Sequence, residues 1–175
     1  MKFNDYKYIR PDFNKVKVQY LDLINDFKMS NTAEEQYSIV KKVNALTKDI
    51  STMAALVKTR NSINTADKFY EDENEYIDNM MPKFQGLTVE FYKALLNSKF
   101  KNELKEKVLP QLYNIAEMEI RTFSDDVIPL LQEENKLVSQ YSKLISSAKI
   151  NYDDKILNLS QMEPYMQSTN RNVSF

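Results

Sequence analysis

The 175-residue sequence contains no histidine, no cysteine and no tryptophan, and it has a single glycine and five prolines. Without histidine or cysteine there is no imidazole base, no thiolate nucleophile and no zinc or iron site built on those ligands. One glycine excludes the glycine-rich loops that cradle dinucleotides or nucleotide phosphates, since each needs several glycines at fixed spacing. Sheets and hairpins also draw on glycine for positive φ, whereas long helices need almost none. Charge of one sign is missing too. The 24 Lys and Arg against 25 Asp and Glu leave a net charge of -1, which gives no overall pull toward nucleic acid or an anionic membrane. The lysines, such as Lys15, Lys17 and those between Lys99 and Lys107, alternate with carboxylates and apolar residues as on solvated helix faces. No apolar run approaches the ~20 residues needed to cross a bilayer, and no apolar stretch follows a basic head at Met1–Tyr6. The location expected on those grounds is the cytoplasm.

What is present is helical periodicity. A hydrophobic fraction of 42% and a charged fraction of 28% are those of a folded protein. A compact chain of this length buries roughly 70% of the surface its unfolded form exposes. Phe13, Val16, Tyr20, Leu23, Ile24 and Phe27 recur every three or four residues and predict a first helix over 11–29, with Pro11 in its first turn. Thr32 and Glu35 form a capping-box pattern ahead of a second helix, whose seam runs Ile39, Val43, Leu46, Ile50, Met53, Val57. Thr65 is the expected cap of a third helix carrying Phe69, Ile77, Met80, Phe84, Leu87, Phe91 and Leu95, with a kink expected at Pro82. At ~30 residues each, helices two and three are about 45 Å long and form a hairpin over 32–97.

Beyond it, residues 98–148 predict two further helices. The fourth carries Phe100, Leu104, Val108, Leu112, Ile115 and Met118 and is expected to kink near Pro110. The fifth, capped by Ser124-Asp125-Asp126, has the seam Val127, Leu131, Glu134, Val138, Tyr141, Ile145, Ala148, in which Glu134 is the charged member of a core-facing row. A β-hairpin over 149–159 turns at Asp153-Asp154, and a capping box at Ser160–Glu163 starts a last helical segment over 160–175. The expected architecture is therefore a single all-α domain of long antiparallel helical hairpins, with one small β-hairpin near 148–159.

Several polar identities go beyond periodicity. Met53-Ala54-Ala55-Leu56, Arg60, Ile63, Thr65, Asp67, Phe69-Tyr70 and Phe91–Leu96 resemble the N-terminal region of the oligoendopeptidase F branch of the thimet-oligopeptidase-like zinc metallopeptidases. The second block is more specific: Gln132-Glu133-Glu134-Asn135-Lys136-Leu137-Val138-Ser139, then Tyr141, Lys143-Leu144-Ile145, Ser147-Ala148, Leu159-Ser160-Gln161, Tyr165, Gln167-Ser168 and Arg171. The resemblance runs from Lys2 to about Val173. It implies a role as the helical wall of a channel that admits short peptides in a zinc-dependent oligopeptidase. The implied zinc site, an H-E-x-x-H helix with a further glutamate, has no counterpart in a chain without histidine, so no cofactor is expected in this chain itself. The implied partner is a C-terminal catalytic region, with short peptides as substrates. Where the family continues past Arg171-Asn172-Val173 into a basic helix, this chain reads Ser174-Phe175, which is the pattern of a truncated or shortened product. The alternative is a stand-alone helical module that binds a partner or peptide without cleaving it. Self-association through exposed apolar surface is a further expectation.

Six residues stand out as candidates for groove or inter-domain contacts. Arg60, at the end of an apolar seam, either meets a substrate carboxylate or forms an ion pair with Asp67 across the turn. Glu73, in the seam of helix three, is either a groove contact, a partner for a neighbouring base or a partly exposed site. Its neighbours Glu71, Asp72 and Glu75 read as a solvated acidic face, because a helix disperses consecutive carboxylates around its axis. Tyr70, like Tyr76, Tyr92, Tyr113 and Tyr141, is either a stacking platform for peptides or core at helical spacing. Glu134 and Lys136 either face the missing region or belong to an internal network.

Overall fold

The structure, a computed structural model, describes residues 3–108, 110–167 and 169, so the end of the segment expected over 160–175, Arg171 included, lies outside the described residues. In chain order the helices are α1 (Phe13–Met29), α2 (Ala33–Ile63), α3 (Lys68–Leu96), α4 (Lys101–Lys107), α5 (Pro110–Thr122), α6 (Ile128–Ser146) and α7 (Leu159–Met166). Strands β1 (Ile150–Tyr152) and β2 (Lys155–Leu157) form an antiparallel hairpin between α6 and α7. The chain divides into two compact units, Met1–Glu133 and Glu134–Phe175. No helix among the described residues is long and apolar enough to cross a membrane.

In the first unit α3 is central, packing against α1, α2 and α5. Its buried face, Ile77, Met80, Phe84, Leu87, Phe91 and Leu95, is the row its spacing predicts, while Phe69 at its start is exposed. The α2 row is likewise buried at Ile39, Val43, Ile50 and Val57, with Leu46 and Met53 half-buried. Aromatic edges meet at the centre. Tyr20 of α1 lies edge-on to Phe84 at 5.5 Å, and Phe27 edge-on to Phe91 at 5.4 Å.

Local signals set the helix ends, in places one or two residues from where the sequence suggests. Asp12 caps α1 by accepting from Asn14 N and Lys15 N. Thr32 Oγ1 accepts from Glu35 N at 3.2 Å, but the Glu35 carboxylate reaches past the cap to accept from Asn31 N at 2.7 Å. Asp67, not Thr65, caps α3, taking hydrogen bonds from Phe69 N and Tyr70 N on one carboxylate oxygen. An ionised carboxylate at a helix N-terminus also gains from the helix dipole, which a hydroxyl does not. In α7 the capping box is Asn158 with Gln161, both arms present, two residues before the one expected at Ser160.

Pro82 lies buried inside α3, which runs as one helix from Lys68 to Leu96. At Pro110 the outcome differs: the single fourth helix expected is two. Proline cannot donate to the preceding turn, and its ring clashes with the carbonyl four residues back, so the chain leaves the helix at extended Val108 and restarts with Pro110 as the first residue of α5. The restart shifts the phase. Tyr113 and Ala116 are the buried residues of α5, and Met118, expected in the row, is exposed.

The fifth expected helix departs most. A 3-10 turn at Asp125–Val127 precedes α6, and Ser124 makes no side-chain cap. No residue of α6 is buried, and Val138, Tyr141 and Ile145 of its apolar row are exposed, as is Glu134. After α6, the turn at Asp153-Asp154 takes positive φ at both residues (51° and 57°), the geometry of a tight type I′ hairpin turn.

The one glycine, Gly86, sits inside α3. A Cβ there would meet Asp125 Oδ1 at 3.5 Å and the Phe123 ring at 3.6 Å, ordinary contact distances. Glycine is therefore not required at this position. Gly86→Ala is expected to stabilise the first unit by about 0.5–1 kcal/mol through helix propensity, read by urea unfolding. Gly86→Leu should do the opposite, because its larger side chain meets the Phe123 ring.

Candidate functional site

A groove of about 670 Å³ lies at the tip of the α2–α3 hairpin, where the N-terminal segment crosses it. Its lining includes three of the six candidates, Arg60, Asp67 and Tyr70, together with Phe3, Tyr6 and Tyr8 from the segment. Arg60 reaches it because the last turn of α2 aims it back toward that segment. Its Nη1 donates to the Tyr70 hydroxyl at 2.8 Å and its Nη2 to the Tyr6 carbonyl at 2.5 Å. The guanidinium also lies over the Phe3 and Tyr70 rings, at 5.6 and 5.5 Å from their centroids. Arg60 therefore does not take Asp67 as its partner, as the turn suggests, because the Asp67 carboxylate is engaged as the cap of α3.

One turn further along α3, Glu73 holds the same segment at a second point. It is only 4% exposed. Its carboxylate accepts from the Tyr8 hydroxyl at 2.5 Å and from Arg10 Nε at 2.9 and 3.0 Å, and Arg10 Nη2 closes the fork. A third point is Tyr76, which donates to the Pro11 carbonyl at 2.5 Å and accepts from Phe13 N at 3.2 Å, with the Arg10 guanidinium over its ring at 4.8 Å. Arg60, Glu73 and Tyr76 thus fasten residues 6–13 across the hairpin as a strap.

The electrostatics follow from that fork. The hydrogen bonds from Arg10 hold the Glu73 carboxyl below its ordinary value of 4.5, against the opposing effect of burial. Burial, and then the hydrogen bond to Glu73, push the Tyr8 hydroxyl well above its usual range. Glu73 is thus a committed anion and a poor general base. Because its native pKa is lowered, its contribution to stability is complete above about pH 4.5 and is lost as pH falls through the lowered native value. The first unit is expected to lose stability on that acid limb, and Glu73→Gln should flatten it, as read by thermal unfolding at stepped pH.

The other candidates lie elsewhere. Glu134 and Lys136 are exposed on α6, in the second unit, and do not line this groove. Around Glu73 the acidic neighbours divide as a helix dictates: Asp72 pairs with Lys68 at 2.6 Å on the solvent side, while the buried Asp78 accepts from the buried Asn74 at 2.9 Å and pairs with the exposed Lys58 at 3.7 Å. Of the tyrosines, Tyr113 is core, Tyr70, Tyr76 and Tyr92 are half-buried and Tyr141 is exposed. Tyr76 is one of the tyrosines the sequence pointed to, whereas Tyr8 and Arg10 were not singled out by it. The available signal was Glu73 itself, a carboxylate in an apolar row that demands a cation, with Tyr8 and Arg10 alternating on an extended segment before Pro11.

The zinc implied by the family resemblance does not fit these residues. The sequence offers no histidine or cysteine, and among the described residues no three carboxylates converge on a point where a metal ion could be held. The groove presents two cations, Lys7 and Arg60, the Asp67 carboxylate and several aromatic rings. The hydrogen bonds of Arg60 and Tyr8 in it fix one segment of chain against another.

Comparison with known proteins gives a consistent result. Residues 3–123 match the family model described as the peptidase M3 N-terminal domain. Among solved structures, the chain is similar to PZ peptidase A with inhibitor 2 at 38% identity and a TM-score of 0.95, covering 98% of this chain and 31% of that one. It is similar to a putative oligoendopeptidase F from Bacillus anthracis str. Ames at 38% identity and TM-score 0.95, covering 99% of this chain and 32% of that one. A further putative oligoendopeptidase F matches at 35% identity and TM-score 0.95, over 99% and 31% respectively. The chain therefore spans about a third of the length of the proteins it matches. No match was found among curated proteins.

Proposed function

Because this chain belongs to the peptidase M3 family, as its N-terminal domain, we propose that it is the non-catalytic wall of a zinc-dependent oligopeptidase acting on short peptides. The observation that carries the reading is the whole-length match of a histidine-free chain to about 31% of the oligoendopeptidase F structures. Zinc and the attacking water then belong to the remaining two thirds of such a protein. This part contributes shape: two helices of about 30 residues, locked at their tip by the strap, form a stiff face. A stiff face is what steric selection requires, since a wall that yields by a few ångströms no longer excludes a longer or folded substrate.

The test is a chimera in which this chain replaces the corresponding third of the Bacillus anthracis relative. Quenched fluorescent peptides of increasing length are the substrates. The expected result is cleavage of short peptides and a steep fall for long and folded ones. Cleavage with no dependence on length would remove the wall role, and a folded chimera without activity would remove the family role as a whole.

A further inference from the structure

The strap meets α2 through a contact of a different chemical kind from those it makes with α3. Ile9 lies between Tyr8 and Arg10, whose side chains both bond to Glu73. Its own backbone N–H donates instead to Met53 Sδ of α2, at 3.4 Å. The Ile9 side chain is exposed, so at this residue the backbone carries the contact with α2. A thioether is a weak acceptor, and it is also a group that a peroxide converts reversibly to a sulfoxide. Met53 is half-buried. It thus stands between Met29, Met118 and Met166, which are 55–78% exposed, and Met80, which is buried.

We infer that Met53 is a peroxide-sensitive fastening of the strap: oxidation of its sulfur releases the strap at Ile9, and reduction fastens it again. In the forward step a sulfur lone pair attacks one oxygen of a hydroperoxide and the O–O bond breaks. The proton of the transferred oxygen passes to the departing one, which leaves as water or an alcohol, so sulfur loses the two electrons that the peroxide gains. In the reverse step a pair of thiols supplies two electrons and two protons, giving the thioether, a disulfide and water. Spacing sets the direction of the effect. The 3.4 Å between nitrogen and sulfur has no room for an oxygen, since an N–H···O bond alone takes about 2.9 Å. Nor can the strap back away to admit one, because Glu73 holds Tyr8 and Arg10 on either side at 2.5–3.0 Å. A sulfoxide is polar and is costly to keep in the apolar row of Ile50 and Val57. The oxidised side chain therefore turns toward water, and the Ile9 N–H loses its partner. This device belongs to the strap alone and stands apart from the proposed function.

The test treats the purified 175-residue chain with hydrogen peroxide, quenches it, reads each methionine by peptide mass spectrometry and measures chymotrypsin cleavage after Tyr6 and Tyr8. Met53 should oxidise after Met29, Met118 and Met166 and before Met80. Cleavage of the strap should rise about three- to tenfold in step with the Met53 sulfoxide, the effect of one lost hydrogen bond on a local opening. Methionine sulfoxide reductases with dithiothreitol should return it to the starting rate. Met53→Leu keeps the volume without the sulfur, and its cleavage should not respond to peroxide. The chain carrying Met29→Leu, Met118→Leu and Met166→Leu together should respond in full. Unchanged cleavage with Met53 fully oxidised overturns the inference. So does an equal acceleration in Met53→Leu, since the sensitive sulfur is then another one. Oxidation of Met53 only together with the buried Met80 also overturns it, because unfolding then precedes the reaction.

Discussion

Phe91→Ala is expected to destabilise the first unit by about 3–5 kcal/mol, the range for deleting a buried aromatic ring. The ring is 1% exposed and takes the edges of Tyr20 at 6.4 Å and Phe27 at 5.4 Å, which joins α1 to α3. Its loss removes apolar burial, two edge-to-face contacts and the packing of two helices that cannot close the space without moving. Phe91→Leu, which refills most of the volume, should recover more than half of the loss. Urea denaturation followed by circular dichroism reads both. An equal loss for the two substitutions would mean that the space collapses or that the ring is not the centre of the core.

Glu73→Ala is the second large effect, at about 2–3 kcal/mol. Three donor nitrogen or oxygen groups of the strap converge on this carboxylate, from Tyr8 and from both faces of the Arg10 fork. Arg10 is half-exposed and regains water when the pair is broken, which keeps the figure below that of a fully buried pair. Tyr8 does not escape so easily, since its edge is set against Phe69 at 6.3 Å. Beyond the change in stability, limited proteolysis between residues 6 and 13 should become faster in Glu73→Ala, because the strap then loses its buried anchor and keeps Arg60, Tyr76 and the weaker contact of Ile9 N with Met53 Sδ. Unchanged proteolysis would show that Glu73 serves α3 locally and does not hold the segment.

The sequence was most legible where burial is periodic and long. The rows of α2 and α3 repeat over many turns, so a shift of one residue at a cap leaves them recognisable. The hairpin at Asp153-Asp154 was legible because two turn-forming residues sit between short strands of different period. Ends were less so. Thr65 and Asp67 are both competent caps by residue type, and the charge–dipole interaction that favours Asp67 depends on where the helix begins, which is the quantity sought. Pro110 was seen, but periodicity on both sides of it could not distinguish a kinked helix from two helices with a changed phase.

The strap and α6 were illegible for different reasons. Tyr8 and Arg10 lie on an extended segment paired with residues some 63 to 65 positions away, and no local pattern reports a contact of that range. For α6 the period itself was read correctly, and its exposed face is the apolar one that the spacing defines. Spacing defines the apolar row of a helix but not whether another element covers it. Glu134, a charge within that row, lies exposed.

The proposed wall role, with the chemistry residing in the rest of the protein, is tested most directly by zinc content and cleavage of a quenched fluorescent oligopeptide, measured on the purified 175-residue chain and, side by side, on the chimera that restores the other two thirds. The expected result is no stoichiometric zinc and no cleavage for the chain alone, with both present in the chimera. Zinc bound one to one and peptide cleaved by the chain alone would contradict that role.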